Sequence, residues 1–500
     1  MSMPAEHMTS RTTIADLLHG VADALPLPVS GIASDSRKIE EGFLFLAVQG
    51  LTSHGLDFLD QAIGAGACAV AWDASTGTAP AHTAIPAIAV PDLAGRLGEI
   101  ANRYYDRPSE RLGVVGITGT NGKTTIAWMI AQAYELLGEP CGYLGTLGCG
   151  VGEVRDAGGM TTPPVIELHG CLADIAGQGA RHAAIEVSSH ALAQRRVDGV
   201  RFDTALFTNL SRDHLDFHTD MRDYFESKAR LFTDCDPQHR VVNIDSDYGM
   251  HLATMCGPDV VTVSTSFDKV ANGRPYLFVR SVVASDSGSE VTFTSSWGNG
   301  RFELTLPGAF NVANAALVLA LLFLKGAPFE QACELMSQLQ APPGRMQRVA
   351  LDGPAVFVDY AHTPIALEGA LRALRAHCRG QLWCVFGCGG DRDRGKRSQM
   401  GKAAERQGDQ VVITTDNPRS EDPRAIIDEI LGGLERPQQS TVIEDRAAAI
   451  AWTISNAAEH DVVLVAGKGH EDYQEIDGER VAFSDYGVAK QALSARGGAQ

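Results

Sequence analysis

The run Gly116-Ile117-Thr118-Gly119-Thr120-Asn121-Gly122-Lys123-Thr124-Thr125 has the composition of a polyphosphate cradle. Glycines let backbone N–H groups come close to phosphate oxygens. The lysine brings a point charge to the outer phosphates, and the threonine after it offers a hydroxyl to Mg2+. The spacing departs from strict G-x-x-x-x-G-K-[ST], because Ile117 stands where that pattern has glycine. The context is nevertheless the required one. Arg111-Leu112-Gly113-Val114-Val115 reads as a buried strand, and Ile126, Met129, Ile130, Ala133 and Leu137 then recur at helical spacing. A helix opening on such a loop adds partial positive charge where the phosphates would sit.

Other chemistry-bearing residues fall at the ends of predicted strands. Ala183-Ala184-Ile185-Glu186-Val187 runs into Ser188-Ser189-His190, and Thr204 to Leu210 runs into Ser211-Arg212-Asp213-His214-Leu215-Asp216. Open α/β sheets bind ligands outside the carboxyl ends of their strands, so Glu186 and His214 are candidate Mg2+ ligands. Four strand candidates in the C-terminal third, Val356–Tyr360, Leu382–Phe386, Val411–Thr414 and Val462–Val465, end the same way. They carry Asp359-Tyr360-Ala361-His362-Thr363-Pro364, Gly387-Cys388-Gly389-Gly390-Asp391-Arg392, Thr415-Asp416-Asn417-Pro418-Arg419 and Gly467-Lys468-Gly469-His470-Glu471. Four such loops on one sheet edge would make a pocket holding both signs of charge.

The elements that must position these loops alternate between strand and helix, which predicts mainly parallel sheets covered by helices, an α/β fold. The chain has 500 residues, enough for two to four domains. Breaks at Arg107-Pro108-Ser109 and Ala341-Pro342-Pro343-Gly344 divide it into 1–108, a smaller α/β domain, 109–343, the phosphate-loop domain, and 344–500, a Rossmann-like domain. The second break is expected to act as a hinge. In the first part Gly42–Val48 and Ala69–Trp72 read as strands, Leu59–Ala67 and Ala94–Tyr105 as helices, and Ser34-Asp35-Ser36-Arg37, ahead of the first strand, as a loop that could hold a phosphate or a ribose but reads first as a capped turn. Val260–Leu306 reads as antiparallel hairpins, followed by an apolar helix to about Lys325 with Asn311 and Asn314 placed to cap it. Lys228, on a predicted helix Arg222–Phe232, reads as solvated surface. A net charge of -19, from 42 Lys+Arg against 61 Asp+Glu, argues against nucleic acid or an anionic membrane as the main partner. The ten cysteines contain no C-x-x-C pair, as expected of reduced, packed thiols. With no signal segment or transmembrane-length run, a cytoplasmic protein is expected; a monomer is the separate expectation for its assembly.

Taken together, these motifs resemble those of the Mur ligases, ATP-dependent amino-acid-adding enzymes of peptidoglycan synthesis, over essentially the whole chain. The phosphate loop Gly119–Thr125, Glu186-Val187-Ser188-Ser189-His190, Asn209 to Asp216 and Asp359 to Pro364 are similar to the family's signatures. Asp416-Asn417-Pro418-Arg419 is similar to the motif of the branch that adds meso-diaminopimelate. The resemblance implies three domains, holding in turn a uridine nucleotide, ATP and the incoming amino acid. It implies ATP and Mg2+ as cofactors, with UDP-N-acetylmuramoyl-L-alanyl-D-glutamate and meso-diaminopimelate as substrates. Carried over by position, Gly119, Thr120, Asn121, Gly122, Lys123, Thr124, Thr125, Asn311, Arg345 and Asp359 hold ATP. Ser36, Thr161, Thr162, Ser188, Gln194 and Arg196 hold the UDP-linked dipeptide. Arg392, Asp416, Asn417, Pro418, Arg419, Gly467 and Glu471 line the amino-acid pocket. Lys123, Glu186, His214 and Lys228 form the catalytic group, with Thr124, Glu186, His214 and a carbamylated Lys228 on Mg2+. Leu51-Thr52-Ser53 lies where some relatives carry a different uridine-contacting tripeptide. Rival readings are a lysine-adding relative, which should lack Arg419, folylpolyglutamate synthetase, and a nucleotide-driven motor whose turnover needs no amino acid.

Overall fold

The computed structural model describes residues 12–50, 53–80, 82–155, 159–266, 273–285, 288–349 and 353–497. Its contacts divide the chain into two compact units, Met1–Lys123 with Leu137–Arg240, and Thr124–Leu136 with Val241–Gln500.

The first unit opens with a parallel sheet of Gly31–Ala33, Phe43–Ala47, Ala69–Asp73 and Ala87–Val90, in that spatial order. Phe43-Leu44-Phe45-Leu46-Ala47 is apolar without alternation, as a strand covered on both faces must be. Leu44 and Leu46 pack with Ile14, Leu17 and the helix Leu93–Tyr104, whereas Phe45 and Ala47 pack with Leu59, Ala62 and Val70 on the other face. The strand Gly31–Ala33 lies ahead of Ser34–Arg37 and corrects the expected order, since three residues are too few for periodicity to register. The turn itself is a short 3-10 helix, Ser36–Lys38, capped by the Asp35 carboxylate.

The rest of this unit is built on parallel strands in the spatial order Thr204–Phe207, Gly113–Thr118, His182–Glu186, Cys141–Gly145, with Gly148–Val151 antiparallel beyond them. Register pairs Ile117 with Glu186 and Thr118 with Phe207, so three carboxyl ends lie side by side.

In the second unit Val241–Asn243 pairs in parallel with Val261–Ser264. Of the expected hairpins, Tyr276–Ser285, Gly288–Ser295 and Gly298–Leu304 form an antiparallel meander, but Val261–Ser264 joins it in parallel. The helix Ala309–Leu324 buries residues on every side, as its composition demands. Gly308 is its N-cap and no side chain caps it, contrary to the expectation for Asn311 and Asn314. Both asparagines are buried, and the Asn311 amide instead donates to the Pro307 carbonyl at 2.8 Å.

A six-stranded sheet follows, in the order Gln347–Arg348, Ala355–Asp359, Val462–Ala466, Leu382–Phe386, Gln410–Ile413, Thr441–Val442. The last of the four predicted strands inserts between the first two, which sets Asp359 beside Ala466 and Ala466 beside Phe386. All four predicted loops therefore leave one edge. Alternating residues feed two cores, Cys384, Phe386 and Leu464 in one and Trp383, Val385 and Val463 in the other. A hairpin, Tyr473–Ile476 with Glu479–Ala482, was not anticipated, although Asp477-Gly478, both at positive φ, is the dipeptide such a turn prefers. Among the described residues no helix is long and apolar enough to cross a membrane.

Candidate active site

The phosphate loop is held from outside as well as by its own glycines. Asn121 donates its backbone N–H to Asn209 Oδ1 at 3.0 Å, and Asn209 Nδ2 returns a bond to the Asn121 carbonyl at 3.2 Å. Thr208 Oγ1 reaches the same carbonyl at 2.6 Å, and Thr120 Oγ1 accepts from Ser211 N at 3.0 Å. Gly119 sits at φ +150, and a Cβ there would fall 1.9 Å from Thr208 Oγ1, so no other residue fits. Lys123 Nζ donates to the carbonyls of Gly119 and Thr120 at 2.9 and 2.8 Å, so its ammonium lies over the loop. Gly122 takes φ +88, and Lys123, Thr124 and Thr125 begin the helix Lys123–Leu136.

Lys228 is not at the surface. Its side chain is buried, its Nζ donates to the Gly119 carbonyl at 2.8 Å, and it lies 4.6 Å from the centre of the Tyr224 ring. Burial first, then the nearby Lys123 charge, pushes its pKa well below the lysine range. The helix Met221–Thr233 that carries it is capped by Asp220. His214 adopts a left-handed backbone, φ +53, and sits edge-on to His190 at 4.9 Å. Burial holds its imidazole below the usual range.

Glu186, 1% exposed, accepts from Tyr143 Oη at 2.5 Å and Thr146 N at 2.9 Å. Five of the six expected dipeptide-binding residues gather at this strand end. Thr162 Oγ1 donates to the Glu186 carbonyl at 2.8 Å and accepts from Ser188 N at 3.1 Å. Arg196 binds the Thr162 carbonyl at 2.9 Å and Gln194 Oε1 at 2.6 Å. Thr161 joins through Thr146 at 3.2 Å. Ser36 is held elsewhere, donating to Gln61 at 3.0 Å. Leu51 and Thr52 lie outside the described residues.

A hard dication prefers oxygen ligands, and Mg2+ is usually bound through one or two carboxylates, with water and phosphate oxygens filling much of its shell. Among the described residues no three acidic, imidazole or thiol groups converge into a ready cage. The Thr124 hydroxyl and Glu186 carboxylate suit Mg2+ held against a polyphosphate. The Lys228 ammonium does not, and would contribute oxygen only after conversion to a carbamate. The donor set fits on those terms.

In the C-terminal sheet, Asp359 accepts from Met346 N at 2.7 Å and Ala361 N at 2.8 Å, and burial raises its pKa. Arg345 packs over the Tyr360 ring at 4.5 Å. The loops beyond form one polar constellation. Asp416 Oδ1 accepts from Asn417 N at 2.7 Å, and Gly467, at φ +119, would set a Cβ 2.5 Å from Asp416 Oδ2. Asn417 Nδ2 donates to Glu471 Oε2 at 2.9 Å. Arg419, left-handed at φ +51 directly after Pro418, donates to the Gly390 carbonyl at 2.8 Å and pairs with Glu475 at 3.2 Å. Arg392 is exposed on the neighbouring loop.

Three residues that sequence reasoning did not single out support this pocket. Arg397, fully buried, binds Glu421 at 2.8 Å, Glu429 at 2.9 Å and the Gly389 carbonyl at 3.2 Å, tying two loops together. Arg446, equally buried, grips Asp485 through two 2.7 Å bonds and donates to the carbonyls of Thr415 and Ala466, just ahead of Asp416 and Gly467. Lys468 is 0% exposed and bonds Asn417 and Glu471. Lys468 stood in a loop already marked by its charges; the two arginines sit on ordinary helix positions and carried no signal.

Family profiles match three stretches: Mur ligase family, catalytic domain, over residues 28–105; Mur ligase middle domain over 117–322; and Mur ligase, glutamate ligase domain, over 344–469. A protein of Pseudomonas putida named UDP-N-acetylmuramoyl-L-alanyl-D-glutamate–2,6-diaminopimelate ligase is 46% identical over 466 residues, 92% of this chain and 94% of its own. A protein of Coxiella burnetii with the same name is 45% identical, over 93% of this chain and 96% of its own. A solved structure of that name superposes with a TM-score of 0.73 at 34% identity, covering 98% of this chain and 100% of its own. The fold alone is shared with a folylpolyglutamate synthase of Mycobacterium tuberculosis, at TM-score 0.59 and 18% identity, over 79% of this chain and 93% of its own.

Proposed function

The chain belongs to the Mur ligase family, an ATP- and Mg2+-dependent ligase of peptidoglycan synthesis, and from that premise we propose which of its residues carry the ligation of meso-2,6-diaminopimelate to UDP-N-acetylmuramoyl-L-alanyl-D-glutamate. The observation that carries the reading is the pair of constructed sites: a braced phosphate loop with two lysines, and a second sheet edge holding Arg419, Asp416 and Glu471.

A carboxylate is a poor electrophile and must first be activated. One of its oxygens attacks the γ-phosphorus of ATP, the bond to ADP breaks, and an acyl phosphate forms. The acceptor's free amine then attacks the acyl carbon, phosphate leaves, and the amine's proton goes to solvent. Lys123 meets the charge on the transferring group, and loop N–H groups hold the polyphosphate. Thr124, Glu186, His214 and a carbamate on Lys228 would hold Mg2+, which would supply further charge neutralisation. Thr161, Thr162, Ser188, Gln194 and Arg196, with Ser36 further out, hold the UDP-linked dipeptide. Asn311, Arg345 and Asp359 complete the ATP site.

In the acceptor pocket Arg392 and Arg419 take carboxylate, while Asp416 and Glu471 take ammonium, with Asn417 and Pro418 setting the turn and Gly467 the close approach. Arginine's planar fork matches a carboxylate with two parallel bonds, and L-lysine has no distal carboxylate to offer it. The three-domain division 1–108, 109–343 and 344–500 is part of this reading, supported by one family match inside each. So is a cytoplasmic location, where ATP is available.

Trapping the activated carboxylate tests the mechanism. With ATP and the UDP-linked dipeptide but no amino acid, hydroxylamine should convert the acyl phosphate to a hydroxamate. Lys123→Ala should fold and give none. Hydroxamate at the wild-type rate from that variant would sink the assignment of the loop.

A further inference from the structure

Among the described residues, Lys468 is the one wholly buried cation of the acceptor edge whose bonds run to the proposed ligand-binding residues themselves. Its side chain is 0% exposed, and its ammonium lies 2.9 Å from both Asn417 Oδ1 and Glu471 Oε2. The Asn417 amide thereby turns its oxygen to the lysine and its nitrogen to Glu471 Oε2, also at 2.9 Å. The same Asn417 oxygen accepts from Glu475 N at 3.0 Å, which docks the Tyr473–Ile476 hairpin. The Tyr473 ring closes the remaining side, 5.4 Å from the ammonium. Both bonds to Glu471 fall on Oε2, so Oε1 keeps its acceptor capacity.

We propose that Lys468 is a positioning and selectivity residue: it orients Glu471 and Asn417 for the acceptor and sets the charge balance that favours meso-diaminopimelate over L-lysine. The inference rests on the acceptor reading above and deepens it. Around the pocket Arg392, Arg419 and Lys468 balance Asp416, Glu471 and Glu475. Meso-diaminopimelate, with two carboxylates and two ammonium groups, carries no net charge and leaves that balance intact. L-Lysine carries one net positive charge, and next to a buried, poorly solvated cation the extra charge is penalised. Without the Lys468 charge the pocket becomes net negative. The zwitterion then loses a correctly held partner, while the cation loses a repulsion.

The test is steady-state kinetics of Lys468→Met and Lys468→Arg with both amino acids. Loss of a charge-assisted hydrogen bond predicts a KM for meso-diaminopimelate about tenfold to a hundredfold higher. The KM for ATP and for the UDP-linked dipeptide should not move, and the preference for meso-diaminopimelate over L-lysine should fall. Lys468→Arg should not rescue, because a guanidinium is too large for a site sized to an ammonium. A residue that only supported the fold would lower the melting temperature without shifting the ratio between two acceptors. Wild-type acceptor KM and selectivity in the folded Lys468→Met variant would overturn the inference while leaving the acceptor reading intact. Failure of the wild type to use meso-diaminopimelate would overturn both.

Discussion

Replacing Arg419 should collapse the choice between two acceptors that differ by a single carboxylate. The residue's backbone is fixed by the hairpin: its N–H donates to the Glu475 carbonyl at 3.0 Å, and its carbonyl accepts from Asp477 N at 2.8 Å. Its guanidinium gives one Nη1 hydrogen to Gly390 and its Nε faces Glu475 in an ion pair, so the other Nη1 hydrogen and both on Nη2 can meet a ligand. The side chain is 19% exposed, so a carboxylate bound there would be partly dry. Losing such a bidentate contact costs about 2–5 kcal/mol. At about 1.4 kcal/mol per decade, Arg419→Ala should lower kcat/KM for meso-diaminopimelate by roughly thirtyfold to a few thousandfold. L-Lysine has no distal carboxylate to lose, so its kcat/KM should change little. Arg419→Lys keeps the charge without the fork and should resemble the alanine variant more than the wild type. The left-handed backbone at φ +51 costs arginine and alanine alike, since both carry a Cβ, so it does not enter the comparison. The assay is kcat/KM for both amino acids in all three proteins. A ratio unchanged in Arg419→Ala would refute the assignment of the fork.

Three further outcomes follow from the same geometry. Lys228→Ala should lose most activity, and short carboxylates at millimolar concentration should restore part of it by supplying the missing oxygen ligand; full activity would reduce Lys228 to a packing residue. Gly467→Ala forces a residue with a Cβ into φ +119 and against Asp416, at a cost of about 1–3 kcal/mol. Its melting temperature should drop and its acceptor KM rise, and wild-type values of both would count against the close approach. Arg397 holds the Glu421 carboxyl down to about 2, against 4.5 ordinarily, so the stability this bond confers is fully present above about pH 4.5 and is lost as pH falls towards 2. Glu421→Gln should therefore melt below the wild type at neutral pH and converge with it under acid; a gap that does not shrink as pH falls from 4.5 towards 2 would contradict the linkage.

The sequence made the strands, the loops at their ends and the phosphate loop legible, because apolar runs, glycine and proline breaks and clustered charge are local signals. It also anticipated that four charged loops would share one edge, since alternating strands and helices leave few other topologies. Lys228 shows where local reading fails. Nothing in Met221–Thr233 marks that lysine as buried; only the packing of its helix against the phosphate loop at Gly119 does, and the family resemblance supplied its importance. Arg397 and Arg446 were invisible for the same reason, as their carboxylate partners lie 24 to 39 positions away in sequence. Gly31–Ala33 was too short, and the asparagines of the helix Ala309–Leu324 were assigned a capping role that Gly308 fills.

The most direct test of the whole account is ADP release by the wild-type protein with ATP, Mg2+ and UDP-N-acetylmuramoyl-L-alanyl-D-glutamate across a panel of free amino acids. Turnover should depend on the amino acid, be greatest with meso-diaminopimelate, and yield a product heavier by one diaminopimelate residue. Equal turnover with no amino acid, or a preference for L-lysine, would contradict it.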